Sequence, residues 1–227
     1  MQDEDGRSYK LYWFLVCLYI ALQLVSDVTA GKITTLGGFP VSVTVLYFPI
    51  TYIFADVLTE VYGYSRARRA LWTVLCCSIL AGLLYQLAVY MPPADGFDAN
   101  DAYRRVLGTV PRILLGGWIA VFAGEISNNF VMAKMKVWTN GRHLWTRTIG
   151  STIVGQFVNT VLFYTIALLG VLPTSLIVES IITGWVIKTL VEAAMTPVTY
   201  LVVGFLKRVE QEDYFDTETD FNPFVIK

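Results

Sequence analysis

The feature that most constrains this chain is a series of apolar runs, each close to 20 residues long. They fall at about residues 11–30, 41–62, 70–91, 107–132, 149–171 and 181–206. A helix of ~20 apolar residues spans the ~30 Å hydrocarbon layer of a bilayer. Within lipid, only helices and closed barrels satisfy their own backbone polar groups. The runs therefore predict an all-α integral membrane protein, a bundle of six transmembrane helices. Composition agrees: 55% of the 227 residues are hydrophobic, 15% are charged, and the mean hydropathy is +0.55. Soluble domains carry about a quarter charged residues. The net charge of −1 argues against a nucleic-acid partner.

Lys and Arg between the runs set the expected orientation. Arg7, Lys10, Arg66, Arg68, Arg69, Lys134, Lys136, Arg142, Arg147, Lys207, Arg208 and Lys227 fall on one side. Lys32, Arg104, Arg105 and Arg112 fall on the other, with the acidic loop of Asp95, Asp98 and Asp101. That bias puts both termini in the cytoplasm. The expected organisation is a cytoplasmic leader over 1–10, a six-helix membrane domain over 11–206, and a short acidic cytoplasmic tail over 207–227. The first run ends in "SDVTAGK", with Val28 and Ala30 spaced like a signal-peptidase site. The acidic leader, with Gln23 and Asp27 inside the run, favours a retained span instead. "GKITTLGGFP", with Gly37, Gly38 and Pro40, and "WTNGRH", with Asn140 and Gly141, read as connections. Cys17, Cys76 and Cys77 lie in apolar runs with no metal spacing, so they read as small membrane residues. No cofactor is expected. Faces rich in Gly, Ala and Ser suit a homodimer.

Ionisable residues inside a span cost roughly 3 kcal/mol each on insertion scales and mark functional sites. In "FPITYIFADVLTEVYGYSRARRA", Asp56 and Glu60 share one helix face at i, i+4. They could line a site, pair with the arginines that follow, or bridge to another helix, and Glu60 could sit at the interface. In "FAGEISNNF", Glu125, Asn128 and Asn129 form one stripe, suited either to a ligand edge or to helix–helix bonding. In "GSTIVGQFVNT", Gln156 and Asn159 lie near one face, with Arg147 and Ser151 at the end of that span. Lys188 and Glu192, again i, i+4, could neutralise each other, and Pro197 beyond them should kink the helix or free a carbonyl. Asp27, Lys188 and Glu192 are candidates for proton or ion-pair sites. Tyr47, Phe48, Tyr52 and Phe54, or Trp118 and Phe122, are candidates to stack on a flat ligand. His143 reads as a surface residue.

Three motifs carry a resemblance over nearly the whole chain: "FPITYIFADVLTEVYGYSRARRALW", "GEISNNFVMAKMK" and the terminal "DFNPF". The chain resembles the vitamin uptake transporter family, and within it the bacterial queuosine precursor transporters. The resemblance implies import of a 7-deazaguanine across the inner (plasma) membrane: a cyano- or aminomethyl-substituted queuosine precursor, or queuine. It implies transport without an ATPase, in keeping with the absence of a phosphate-binding loop motif. On that reading Glu125 and Asn128 meet the guanine-like edge, Asp56 and Glu60 line the same cavity, and Gln156 and Asn159 complete it. The rival readings are a substrate-binding subunit that needs energising partners, an intramembrane enzyme and a channel. Catalytic motifs are scarce: there is no H-E-x-x-H, no G-x-S-x-G, and a single histidine.

Overall fold

The computed structural model describes residues 9–225 except 30–31, 37–38, 44–46, 109–110 and 171–173. The leader acids, Arg7, Ala30, Gly37, Gly38 and Lys227 lie outside the described residues, as do the side chains of Phe48, Tyr52 and Arg112. Among the described residues seven helices follow in order: α1 (Tyr12–Thr29), α2 (Phe48–Tyr62), α3 (Tyr64–Tyr90), α4 (Asn100–Leu107), α5 (Pro111–Trp138), α6 (Leu144–Phe163) and α7 (Thr174–Glu210). A π-helical turn, Tyr164–Leu168, extends α6. The stretch expected as a plain connection after α1 is a hairpin, β1 (Ile33–Leu36) against β2 (Phe39–Ser42), with Ile33 opposite Ser42. It takes residues 41–42 from the second expected span, and α2 begins only at Phe48. The 37 residues of α7 continue through Pro197. The ring nitrogen has no N–H to give the carbonyl one turn back, so a carbonyl of α7 loses its helical donor.

Among the described residues, four helical segments are long and apolar enough to cross a membrane: Tyr12–Thr29, Tyr64–Tyr90, Leu144–Ala167 and Ser180–Glu210. The two expected spans that fall outside this set, α2 and α5, have physical reasons. At 15 residues, α2 is ~22 Å long, less than the hydrocarbon thickness. In α5, Glu125, Asn128 and Asn129 interrupt the apolar sequence. These are also the helices that carry the acid motifs.

The short helix α2 is central and packs against α1, α3, α5 and α7. Its Val57, Leu58, Val61 and Tyr62 join Tyr12, Val16 and Tyr19 of α1 and Met132 of α5 in the core. Encirclement explains why α2 can carry carboxylates: Asp56 and Glu60 are both fully buried in protein. A single residue, Gly63, links α2 to α3 at φ +85°, ψ 167°, a backbone region open essentially to glycine. A Cβ there would also run into the ring of Tyr214.

That ring belongs to a C-terminal strap. Beyond Glu210 the chain folds back under the ends of α2, α3 and α5, where a freely solvated tail was expected. The amide of Tyr64 donates to the Asp216 carboxylate at 3.1 Å, which satisfies an open N–H at the start of α3. Arg68 donates to the carbonyls of Asp220 and Asn222, and Trp72 to that of Pro223 at 2.9 Å. Phe221 packs on Tyr64 and Phe130, and Lys134 lies 4.0 Å over its ring. Burial pushes the Asp216 carboxyl above its ordinary value, against the bonds from Thr219 and Tyr64. Of the arginines near the end of the first motif, Arg68 thus serves the strap, while Arg66 bonds the carbonyl of Tyr62 and lies over Tyr9 and Tyr214.

The tightest helix crossing joins α5 to α6. A Cβ on Gly124 would sit 2.7 Å from Asn159 Cβ and 2.9 Å from the Gly155 carbonyl oxygen. A Cβ on Gly155 would meet Asn128 Cβ and the Gly124 carbonyl at the same two distances. The glycines let the backbones touch, and each asparagine, Asn128 or Asn159, packs over the glycine of the opposite helix. Gly155→Ala should therefore cost about 1–3 kcal/mol by overpacking, read as a lower Tm in detergent. Gly117→Ala, with nothing within 4 Å of its Cβ, should leave Tm unchanged or raise it.

Candidate functional site

Two polar centres lie along α2, one helical turn apart. The lower one surrounds Glu60. Arg147 of α6 makes a forked pair with it, Nε to Oε2 at 2.7 Å and Nη2 to Oε1 at 2.8 Å. Lys207 of α7 donates to Oε1 at 2.6 Å. Lys136 of α5 lies 3.5 Å from Oε1 and donates to the Glu60 carbonyl at 2.5 Å, to Asp213 at 2.5 Å and to the carbonyl of Tyr214 at 2.8 Å. Lys207 also pairs with Asp213 at 2.8 Å. Burial disfavours the charged form of Asp213, but the ammonium groups of Lys136 and Lys207 outweigh it and hold the carboxyl below its ordinary value. Five segments, α2, α5, α6, α7 and the strap, meet at this one carboxylate. Glu60 is placed among cations rather than in the cavity expected to hold Asp56 and Glu125. Lys136, Lys207 and Asp213 were readable only as interfacial charges, because no spacing links them to Glu60.

The upper centre surrounds Asp56. Asn128 Nδ2 donates to Asp56 Oδ1 at 2.8 Å. Among the described residues no donor faces the buried Asp56 Oδ2 and Glu192 Oε2. The two carboxyl groups are in side-chain contact with each other, and Glu192 also meets the hydroxyl of Thr152. Two carboxyls in contact repel unless a proton lies between them. Glu192 therefore faces Asp56 rather than Lys188, and the expected neutralising pair on α7 is replaced: Lys188 donates to Asn159 Oδ1 at 3.1 Å and Thr160 Oγ1 at 3.5 Å.

Beside Asp56 is a cavity lined by Glu125, Asn128, Gln156 and Asn159, with Gln23 of α1 and Thr51 of α2. Four of the expected site residues thus share one wall, built by the α5–α6 crossing. Glu125 Oε2 is buried without a partner. The cavity is narrow, with room for little more than a water molecule. Gln23 Nε2 donates to Asp27 Oδ1 at 2.8 Å, which ties the cavity to a second pocket at the hairpin end. There Asp27 accepts from Ser78, and Ser78 accepts from Trp118 Nε1 at 3.0 Å. The candidate stacking rings are engaged elsewhere: Trp118 in that second pocket, Phe122 against Trp72 and Phe224, Phe54 against Tyr19, and Tyr47 with Thr29. Thr51 and Thr152 went unread in the sequence, since isolated threonines in apolar helices carry no signal of their own.

An enclosed amide-and-acid cavity in a helical bundle suits a small polar solute carried through a membrane. The chain belongs to the family described as "Putative vitamin uptake transporter", which it matches over residues 42–202. That match takes in α2 through most of α7 and excludes Gln23, Asp27 and the strap. The chain is similar to the "Probable queuosine precursor transporter" of Bacillus subtilis (strain 168), 29% identical over 181 residues, covering 79% of this chain and 76% of that protein. It is also similar to the "Queuosine precursor transporter" of Escherichia coli (strain K12), 23% identical over 164 residues, covering 72% of each. No solved structure matches.

Breaking a buried ion pair by removing one partner costs about 3–5 kcal/mol, because the other charge is stranded. Arg147→Met should show a loss of that order as a large drop in thermal stability. Lys207→Met should cost less, since Lys207 is 24% exposed and Glu60 keeps both other cations.

Proposed function

We propose that this protein is a secondary importer of a queuosine precursor, working without an ATPase in the cell inner (plasma) membrane. The substrate is a 7-deazaguanine: the cyano- or aminomethyl-substituted base, or queuine. The observation that carries the reading is the convergence of Glu125, Asn128, Gln156 and Asn159 on one buried cavity. The names of the two relatives supply the substrate class. A deazaguanine offers N–H donors at its ring nitrogen and exocyclic amine, and a carboxylate accepts both in charge-assisted bonds.

The arrangement supports six crossings with both termini on one side. Tyr9 bonds to Glu212 at 2.9 Å, so the start of α1 and the strap share an end of the bundle. That end also holds Arg66, Arg68, Lys136, Arg147 and Lys207, which favours the cytoplasm. The cavity as it stands is too narrow for a planar bicyclic base, so it represents a closed conformation. Admission of substrate requires α5 and α6 to move relative to α1 and α2. The proton needed between Asp56 and Glu192 is the natural coupling ion.

Liposomes containing the purified protein alone should accumulate labelled 7-cyano-7-deazaguanine under an inward proton gradient and lose that accumulation on addition of an uncoupler. Glu125→Gln should reduce uptake by roughly 10- to 100-fold, the worth of a charge-assisted hydrogen bond, with the Tm retained. No uptake by the wild type without added partner proteins would favour a binding subunit instead. Unaltered uptake by Glu125→Gln would remove the site assignment.

A further inference from the structure

Lys188 is a cation inside a membrane-spanning helix that the transport reading leaves without a task. Its geometry assigns one. An ammonium group donates and has no acceptor. Its 3.1 Å bond to Asn159 therefore fixes the amide with Oδ1 turned toward α7, and Nδ2 is left for the cavity that Asn159 lines. Asn128 is fixed in the opposite sense. Its Nδ2 is committed to the Asp56 carboxylate at 2.8 Å, so its Oδ1 is left for the cavity. Glu125, one turn before Asn128 on the same face, adds a buried oxygen with no partner.

The wall therefore presents two acceptors from α5 and one donor from α6. At the Gly124–Gly155 crossing Asn159 lies over Gly124, the neighbour of Glu125, and Asn128 lies over Gly155, one turn along. The complement is an edge with two neighbouring N–H donors and one carbonyl oxygen. A 2-amino-6-oxo base has that edge. A 2,6-diamino or 6-amino base has a lone pair at the ring nitrogen and a donor where the carbonyl should be.

We propose that Lys188 is a positioning residue for specificity: by holding Asn159 Oδ1 it forces the amide to present N–H, and so selects a 6-oxo base over its 6-amino analogue. This rests on the cavity being the deazaguanine site, and it adds the residue that decides between bases. Asp56 does the matching work on Asn128. Sites built around hydrogen bonds reject a mismatched partner strongly, because buried groups are then left unpaired.

The test is competition for binding of labelled 7-cyano-7-deazaguanine to purified protein by two unlabelled bases, 7-deazaguanine and 2,6-diamino-7-deazapurine. The wild type should prefer the 6-oxo base by at least about tenfold. Asn159→Asp keeps a partner for Lys188 but has only acceptors, so it should abolish or invert that preference. Lys188→Met frees the amide to rotate and should lower the preference about tenfold, while Lys188→Arg, which keeps a donor, should restore it. Unlabelled bases are also scored directly by thermal shift, so a variant that no longer binds the probe still gives a ratio. Asn159→Asp with the wild-type preference, or with no binding of the diamino base, overturns the proposal, as does Lys188→Met with the wild-type preference. If Lys188→Met does not fold, Asn159→Asp decides. A wild type that binds neither base refutes the substrate reading itself, an outcome distinct from a wild type that binds both equally, which overturns only the role of Lys188.

Discussion

The carboxylate of Glu60 is the constraint on which the rest of the bundle depends. It is fully buried and could not remain charged there alone. Its partners come from three other helices, and two of them, Lys136 and Lys207, also grip Asp213 of the strap. The arrangement therefore fixes where α2 stops and how α6 and α7 approach it. Buried ion pairs add little net stability over an apolar core of equal volume, and their best-attested role is to specify one arrangement among several. Here the arrangement specified is the closed end of the bundle below the cavity. The shortness of α2 follows from the same fact, since a helix ending on a buried carboxylate need not reach the lipid headgroups.

One turn above, the same helix offers Asp56 to a different set of groups. The cavity beside it depends on backbone contact rather than charge. Gly124 and Gly155 bring α5 and α6 close enough that Asn128 and Asn159 each pack over the glycine of the opposite helix. Their amides are then turned in opposite senses by charges behind them. A polar file continues through Gln23 to Asp27, Ser78 and Trp118 at the hairpin end. Above the cavity the path is made of single hydrogen bonds. Below it stands the multi-cation cluster around Glu60.

Much of this was legible in the sequence, and the remainder was hidden for identifiable reasons. Apolar runs near bilayer length located the long helices, and Asn140 and Gly141 marked their turn through positive φ values of 49° and 72°. Four of the cavity residues were legible because amides and acids at i, i+3 and i+4 share a face. Partner choice was not. Lys188 and Glu192 look like an i, i+4 pair, yet each turns to a different neighbour, because α7 meets α6 on one side and α2 on the other. Helical spacing reports what one helix offers and says nothing of the helix opposite. The strap was hidden too: its acidic composition suggests solvent, whereas its backbone carbonyls and Asp216 are spent on Arg68, Trp72 and the start of α3.

The separation of Glu60 from its partners has a consequence for biosynthesis. Arg147 lies 87 residues downstream and Lys207 lies 147. At ribosomal speeds of about 5–20 residues per second, Glu60 waits roughly 4–17 s for Arg147 and longer for Lys207. Lys136, 76 residues downstream, is the first of its cations to follow, so for most of that interval the two acids lack the partners they have in the finished bundle. The set of charges around Glu60 is complete only once α6 and α7 have emerged, so the centre of this protein is assembled last.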